Sequence, residues 1–194
     1  SVAVGKSSAS RLLRLLLSRW SEHPSVYLVT TDGFLYDNAT LSERDLMRRK
    51  GFPESYDTQA LLNFVRELAS GNPRVYAPVY SHVSYDIVPE SNIEIKDPDI
   101  VLIEGLNVLQ QPHRDHNWSG TILSSYFDFS IFIDASELDI KQWYVERFLT
   151  LRETAFSNPD SFFHHFKSLT DSEAINMAEQ IWESINALNL RENI

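Results

Sequence analysis

With 194 residues, 43% of them hydrophobic, the chain is long enough for one domain that buries its own core, which excludes a disordered segment. Its formal net charge of −10 excludes a general nucleic-acid binder, since a phosphate backbone requires a basic face, and its lack of cysteine excludes disulfides and thiolate zinc sites. The sequence shows no signal peptide and no apolar run near the about 20 residues of a membrane span, so we expect a soluble, cytoplasmic protein.

The first half of the sequence predicts two helices, one buried strand and a hairpin. Leucines recur at helical spacing over 7–20, and an apolar, β-branched run at 26–31 predicts a strand that ends at Asp32. Apolar residues at helical spacing predict a second helix over 58–70. Residues 74–95 alternate between apolar and polar side chains in two short stretches, which predicts a hairpin or an edge excursion.

The second half of the sequence predicts two further buried strands, at 100–103 and 129–133. Each of these apolar runs ends at an acidic residue, Glu104 and Asp134 respectively. Three buried strands that alternate with helices indicate an α/β fold with a mostly parallel sheet.

Two helices are predicted near the end of the chain. The first begins at Ser136 and runs to about Glu153, and the second begins at the capping box of Thr170 and Glu173 and runs to about Ala187. The polar stretch at 111–120 predicts a surface loop that serves as a plain connection.

The first seven residues match the last seven positions of the phosphate-loop pattern G-x-x-x-x-G-K-[ST]. In such a loop, backbone N–H groups and a helix N-terminus surround the phosphates, Gly5 permits their close approach, Lys6 adds a charge at the terminal phosphates and Ser7 ligates Mg²⁺. A predicted helix follows directly, as the motif requires. Because the first glycine and the strand that should precede the loop are missing, we expect the sequence to be a truncated record of a longer protein.

Two acidic residues end predicted strands at the sheet edge where doubly wound folds bind their ligands. Asp32 and Glu104 occupy these positions. A carboxylate there can ligate Mg²⁺ or accept a proton from an attacking hydroxyl, and the alternative for each is a simple cap of the next helix or turn. Asp134 is left out, because the helix that starts at Ser136 makes capping its better interpretation.

An arginine, Arg147, shares one face of the predicted helix from Ser136 with apolar and aromatic residues. The residues on this face are Ile140, Tyr144, Phe148 and Leu151. A guanidinium on that face requires an anionic partner, which a transferring phosphoryl group would provide. The alternative is a structural arginine that pairs with a carboxylate or extends to water, but the phosphate loop in the same chain favours the first interpretation.

Four phenylalanines follow this helix and form either part of the core or the wall of an apolar pocket: Phe156, Phe162, Phe163 and Phe166.

Several strings of residues together resemble the bacterial type I pantothenate kinases, and the resemblance extends over essentially the whole chain. These strings lie at 1–7, 30–34, 50–57 (Lys-Gly-Phe-Pro-Glu-Ser-Tyr-Asp), 78–82 (Pro-Val-Tyr-Ser-His), 104–110 (Glu-Gly-Leu-Asn-Val-Leu-Gln), 144–148 and 189–194. Apart from the phosphate loop, they are not generic to P-loop kinases.

The resemblance implies an α/β P-loop kinase fold, with a mostly parallel central sheet flanked by helices and its first strand missing from this sequence. It implies a single domain over 1–194 in which a helical region, about 136–187, contributes to the substrate pocket. The implied reaction transfers the γ-phosphoryl group of ATP to the 4′-hydroxyl of pantothenate, the first step of coenzyme A biosynthesis.

The resemblance also implies roles for individual residues. Asp32 matches the catalytic base, Lys6 and Arg147 match the phosphate-stabilising cations, and Ser7 and Glu104 match the positions associated with Mg²⁺. The nucleotide-binding positions are Ser1, Val2, Ala3, Val4, Gly5, Lys6, Ser7, Ser8 and Arg11. The pantothenate-binding positions are Tyr80, His82, Tyr144, Phe156 and Asn186.

The family is dimeric and is inhibited by coenzyme A, for which Lys6, Arg11 and His82 match the positions involved. Phe162 and Phe166 stand where relatives often carry tyrosine, so hydroxyl contacts from these positions are absent here.

Two other functions fit parts of the sequence. A uridine kinase or phosphoribulokinase would share the loop, the acidic residues and the fold, but the strings at 50–57 and 78–82 argue against it. A non-catalytic sensor of nucleotide or coenzyme A would keep the loop without the chemistry, and the presence of Asp32, Lys6 and Arg147 together argues against it.

Overall fold

The computed structural model of the protein describes residues 3–110 and 123–194. The helices in these ranges are α1 (Lys6–Leu17), α2 (Asn38–Glu43), α3 (Thr58–Ala69), α4 (Glu137–Glu153), α5 (Asp171–Ile181) and α6 (Ala187–Asn193), and the strands are β1 (Val26–Thr30), β2 (Arg74–Ser81), β3 (Asp86–Lys96) and β4 (Ile100–Glu104). The predicted loop at 111–120 lies outside the described residues, as do Ser1 and Val2.

Strands β1 and β4 pair in parallel, with Val26 opposite Ile100 and Thr30 opposite Glu104. Both strands consist of apolar, largely β-branched residues, which suit a strand that is covered on both faces. Because parallel strands end at the same edge of a sheet, Glu104 and the residues just after β1 lie on one side. The prediction of two parallel strands that end in acidic residues is confirmed.

Strands β2 and β3 form the predicted hairpin, an antiparallel pair with Val75 opposite Ile95 and an irregularity in register between Pro78 and Tyr80. Alternate residues of the hairpin pack against α3 and β1, as the alternating pattern predicts. The buried residues of this core are Val29, Phe34, Leu61, Phe64, Val65, Val75, Ala77 and Ile95.

The predicted third buried strand, at 129–133, is not formed. In the described part of the chain this segment joins no sheet, and β4 pairs only with β1. Phe129 is 81% exposed and Phe132 is 58% exposed. The segment instead lines a cleft of ≈ 1060 Å³ together with β4 and with Leu13 and Leu17 of α1. An apolar run becomes a strand only where a neighbour accepts its backbone hydrogen bonds, and within residues 3–110 and 123–194 no strand pairs with this segment.

Two glycines allow the strand ends to pack closely. A Cβ atom on Gly33, in the 3₁₀ turn after β1, would lie 2.3 Å from the carbonyl oxygen of Pro78 in β2. A Cβ atom on Gly105, directly after β4, would lie 1.9 Å from the hydroxyl oxygen of Thr31. The turn that carries Asp32 is therefore held against both β2 and the end of β4.

Gly33→Ala is expected to destabilise the fold by about 1–3 kcal/mol, because the added methyl group overlaps a backbone carbonyl that cannot rotate away. Thermal unfolding measures this effect. Gly71→Asn is the control: no atom lies within 4 Å of a Cβ at Gly71, and asparagine tolerates its left-handed φ of 74°. An equal loss of stability in both variants would contradict the prediction.

The C-terminal half is helical. Ser136 caps α4 by accepting a hydrogen bond from the Asp139 N–H, and the predicted capping box of Thr170 and Glu173 opens α5. The last helix does not end near Ala187 as predicted, because it passes through a π-helical turn at 182–186 and continues as α6. No helix within residues 3–110 and 123–194 has the length and apolar character needed to cross a membrane.

Candidate active site

The predicted phosphate loop leads into the N-terminus of α1. Gly5 adopts a left-handed conformation, with a φ of 87°. Among the described residues no side chain caps α1, and its first turn, which contains Lys6 and Ser7, carries no acidic residue. An N-terminus without a cap or an acidic side chain is suited to bind an anion through its backbone N–H groups.

The lysine of the loop lies near both strand-end carboxylates. Lys6 Nζ is 3.9 Å from Glu104 Oε1 at the end of β4. Burial lowers the pKa of Lys6, Glu104 and Asp32 oppose this shift, and the positive charge of Arg147 adds to it. Four charged groups that the sequence predicted for one site thus interact electrostatically.

Asp32 lies partly buried in the 3₁₀ turn after β1. Burial raises the pKa of Asp32, and the charges of His82, Lys6 and Lys50 oppose this shift. A carboxyl group with a raised pKa that remains near several cations can be held ready to accept a proton. The arrangement suits a general base.

Tyr80, His82 and Tyr85 interact with Asp32, Tyr144 interacts with Tyr85, and Asn186 bonds with Tyr144; we call these five residues the tyrosine pocket. The Tyr80 ring lies 5.3 Å from the His82 ring and 6.2 Å from the Tyr85 ring. Burial raises the pKa of Tyr85 to about 12, with contributions from Asp32 and Tyr144. Burial also raises the pKa of Tyr144, while a hydrogen bond with Asn186 and the charge of Arg147 oppose that shift. These interactions connect the hairpin, α4 and the π-helical turn at one site.

The π-helical turn brings Asn186 to this site. Buried residues of the last helix follow a spacing of four, at Ala174, Ala178 and Trp182, and the next is Ala187, five residues on. The extra residue lets Ala187 pack beside Ile140, so that Asn186 bonds with the tyrosine of α4. Single π-turns of this kind occur frequently at functional sites.

The family model described as Phosphoribulokinase / Uridine kinase family matches residues 1–152. The chain belongs to this family. Its members are P-loop kinases, so the predicted α/β P-loop kinase fold is confirmed, and family membership implies the use of ATP.

Curated relatives named pantothenate kinase match the entire chain. The protein from Cutibacterium acnes is 57% identical over 195 residues and that from Photorhabdus laumondii is 56% identical over 198 residues, which cover 100% of this chain and 60% and 62% of the respective relatives. The chain therefore spans about 60% of the length of these relatives. The predicted resemblance to pantothenate kinases is confirmed.

Solved structures agree with the fold of this kinase family. A protein of Silicibacter sp. TM1040, described as a candidate fructose transport system kinase, has a TM-score of 0.71 at 24% identity and covers 95% of this chain and 80% of its own. The YGR205w protein has a TM-score of 0.62 at 15% identity and covers 96% of this chain and 75% of its own. At these identities the likeness concerns the fold alone.

The structure gives the surroundings of three predicted site residues. Arg147 lies on the predicted helix face but is exposed, so the expectation that it is enclosed among core residues is wrong. Arg11 is exposed on α1. Phe156 is 8% exposed in an aromatic core with Phe148 and Phe166, whereas Phe162 is 45% exposed against Tyr85. The phenylalanine cluster thus supplies both core and pocket wall.

The sequence reasoning missed three residues near Asp32, namely Lys50, Tyr56 and Tyr85. Lys50 and Tyr56 belong to the string at 50–57, which carried the family resemblance without a role for any single side chain. Burial and the charge of Asp32 raise the pKa of Tyr56, while the side chain of Thr31 opposes this shift. A lysine at the start of a string that contains aromatic and polar residues was the available signal.

Asp32→Asn is expected to raise the melting temperature at neutral pH and to leave it nearly unchanged below pH ~4. The folded-state pKa of Asp32 is raised, so its contribution to stability is largest below the unfolded pKa and is lost as the pH rises through the folded pKa. Asparagine does not titrate, so its contribution to stability does not depend on pH. Asp37→Asn should behave oppositely, because the Thr40 N–H lowers the pKa of Asp37 and its stabilisation is lost as the pH falls. Melting curves across pH test both, and the same pH trend in both variants would contradict the assignment.

Proposed function

We propose that this chain is the catalytic body of an ATP-dependent pantothenate kinase, which transfers the γ-phosphoryl group of ATP to the 4′-hydroxyl of pantothenate in the first step of coenzyme A biosynthesis. The observation that carries the proposal is the interaction of the Asp32 carboxylate both with the phosphate-loop lysine and with the tyrosine pocket. The 57% identity to a pantothenate kinase supports the choice of acceptor among P-loop kinases.

In the proposed reaction Asp32 accepts the proton of the attacking hydroxyl. Lys6 and Arg147 stabilise the negative charge of the phosphoryl group in transit, while the α1 N-terminus holds the remaining phosphate oxygens. On the acceptor side, Tyr144 and its partner Asn186 provide directed hydrogen bonds, and Tyr80 and His82 lie near Asp32. An apolar wall with a few directed polar groups suits a small amphiphilic acid.

The residues present fit a Mg²⁺ ion that is shared with the nucleotide. Within the described residues no group of three or more His, Cys, Asp or Glu side chains forms a metal cluster. Mg²⁺ in kinases requires only one or two protein oxygens, since phosphates and water complete its coordination. Ser7, in the first turn of α1, and Glu104, beside Lys6, would supply these oxygens. The ion would neutralise charge on the phosphates.

The remaining parts of the proposal follow the family resemblance. The chain would form a single kinase domain in the cytoplasm, with the helical region at about 136–187 completing the substrate pocket. The enzyme would act as a homodimer and would be inhibited by coenzyme A, whose phosphates would compete for the loop near Lys6, Arg11 and His82.

An acceptor panel tests this function. The full-length gene product is assayed with ATP and Mg²⁺ against pantothenate, uridine and ribulose 5-phosphate, and phosphorylation of pantothenate alone is expected. Preference for either other acceptor would overturn the choice of substrate. Tight binding of coenzyme A without turnover of any acceptor would favour the sensor alternative.

A further inference from the structure

Lys50 is a buried cation that the reaction described above does not use. It follows the 3₁₀ turn Met47–Arg49 and is 8% exposed. A lysine so enclosed must find partners for its ammonium group, because an unpaired charge is costly to bury. Burial lowers the pKa of Lys50, and the carboxylates Asp86, Asp32 and Asp37 oppose that shift.

The ammonium group of Lys50 contacts the tip of the β2–β3 hairpin. Its Nζ donates hydrogen bonds to the carbonyl oxygen of Tyr85 and to Asn38 Oδ1, each at 2.6 Å. The Asn38 side chain donates to the same carbonyl at 3.1 Å, and the Asn38 N–H donates to Asp86 Oδ1 at 3.0 Å. One backbone carbonyl at the hairpin tip thus accepts two side-chain donors from the body of the protein.

The hairpin tip is held in a conformation that needs such support. Tyr85 has a φ of 53°, which is uncommon for a large side chain and costs energy unless the surroundings impose it. The ammonium group of Lys50 also lies 4.3 Å from the centre of the Tyr85 ring and 5.2 Å from that of the Tyr80 ring. The ammonium group of Lys50 therefore contacts both a backbone carbonyl and two aromatic rings of the hairpin.

We propose that Lys50 is a positioning residue: together with Asn38 it clamps the hairpin tip through the Tyr85 carbonyl and so sets Tyr80, His82 and Tyr85 around Asp32. This inference rests on the proposed function, since it names the device that shapes the acceptor side of the same site. The clamp acts on the hairpin and leaves the phosphate loop of α1 unaffected.

Lys50→Met tests the clamp with two independent measurements on the full-length enzyme. The KM for pantothenate should rise on the order of 10- to 100-fold, which corresponds to the loss of a charge-assisted hydrogen bond, while the KM for ATP changes less than about twofold. Hydrogen exchange of the amides at 82–86 should become faster. Arg49→Met is the matched control, because Arg49 pairs with Glu54 and stacks on Phe52, and it should leave both measurements unchanged.

Each outcome decides the proposal. Unchanged exchange at 82–86 in Lys50→Met overturns the clamp, and faster exchange with an unchanged KM for pantothenate overturns its role in positioning. A fall in kcat alone would overturn the clamp and indicate that Lys50 acts through its charge on Asp32.

Asn38→Ala removes the second donor to the same carbonyl and should produce a smaller version of both effects. Failure of both variants to fold would overturn the proposal and make Lys50 a structural residue. If wild-type enzyme does not turn over pantothenate, the proposed function fails while the exchange experiment still judges the clamp.

Discussion

Asp32→Ala is expected to lower kcat by about 10²–10⁴-fold, the usual cost of losing a positioned general base. ATP affinity should stay nearly intact, because in the proposed function the loop and the uncapped N-terminus of α1 hold the phosphates. Asp32 interacts with one loop side chain, Lys6, and otherwise with His82, Lys50 and Tyr85, which lie outside the loop. Steady-state kinetics with pantothenate, together with a separate measurement of ATP binding, checks both parts.

The control for this variant is Asp37→Asn, which removes a carboxylate that is exposed and caps α2. Asp37→Asn should lower the melting temperature at neutral pH, where the Asp37 carboxylate is stabilising, and should leave kcat close to the wild-type value. An Asp32→Ala variant that binds ATP tenfold more weakly and turns over normally would reassign Asp32 to the nucleotide site.

Local patterns predicted the elements that place the charged groups. The runs at 26–31 and 100–103 each end in an acidic residue, and parallel pairing of β1 with β4 brings these ends together. The helix spacing around Ser136 and the capping box at Thr170 also identified α4 and α5 correctly. In each case the signal lies within a few residues, where side-chain alternation, helical spacing or capping determines the local structure.

Other features depend on contacts that no local pattern contains. The apolar run at 129–133 looks like a buried strand, but strand formation requires a partner, and within the described residues none pairs with it. Lys50 meets its partner Tyr85 from 35 residues away. The π-helical turn that directs Asn186 arises because Trp182 and Ala187 both pack inward, and the sequence spacing alone reads as an ordinary helix. Tertiary packing decides all three.

The exposure of Arg147 changes the physical argument for its role. A guanidinium enclosed in the core would require a structural partner, but Arg147 is exposed beside the tyrosine of α4 and close enough to Lys6 to affect its pKa. Among the described residues no carboxylate forms an ion pair with it. Its charge is therefore available to an anion that arrives with the nucleotide, and its replacement should cost little stability.

Arg147→Lys is expected to lower kcat by about 10³–10⁵-fold, even though it keeps the charge, because lysine cannot hold two phosphoryl oxygens with a planar fork. The KM values should change little, since the interaction forms mainly in the transition state. Arg152→Lys supplies the contrast five residues further along the same helix. Arg152 is 8% exposed, donates to the Leu169 carbonyl and pairs with Asp171, so its replacement should lower the melting temperature and spare kcat. Kinetics and melting curves on both variants decide the matter, and a folded Arg147→Lys enzyme with near-normal kcat would remove Arg147 from the catalytic set.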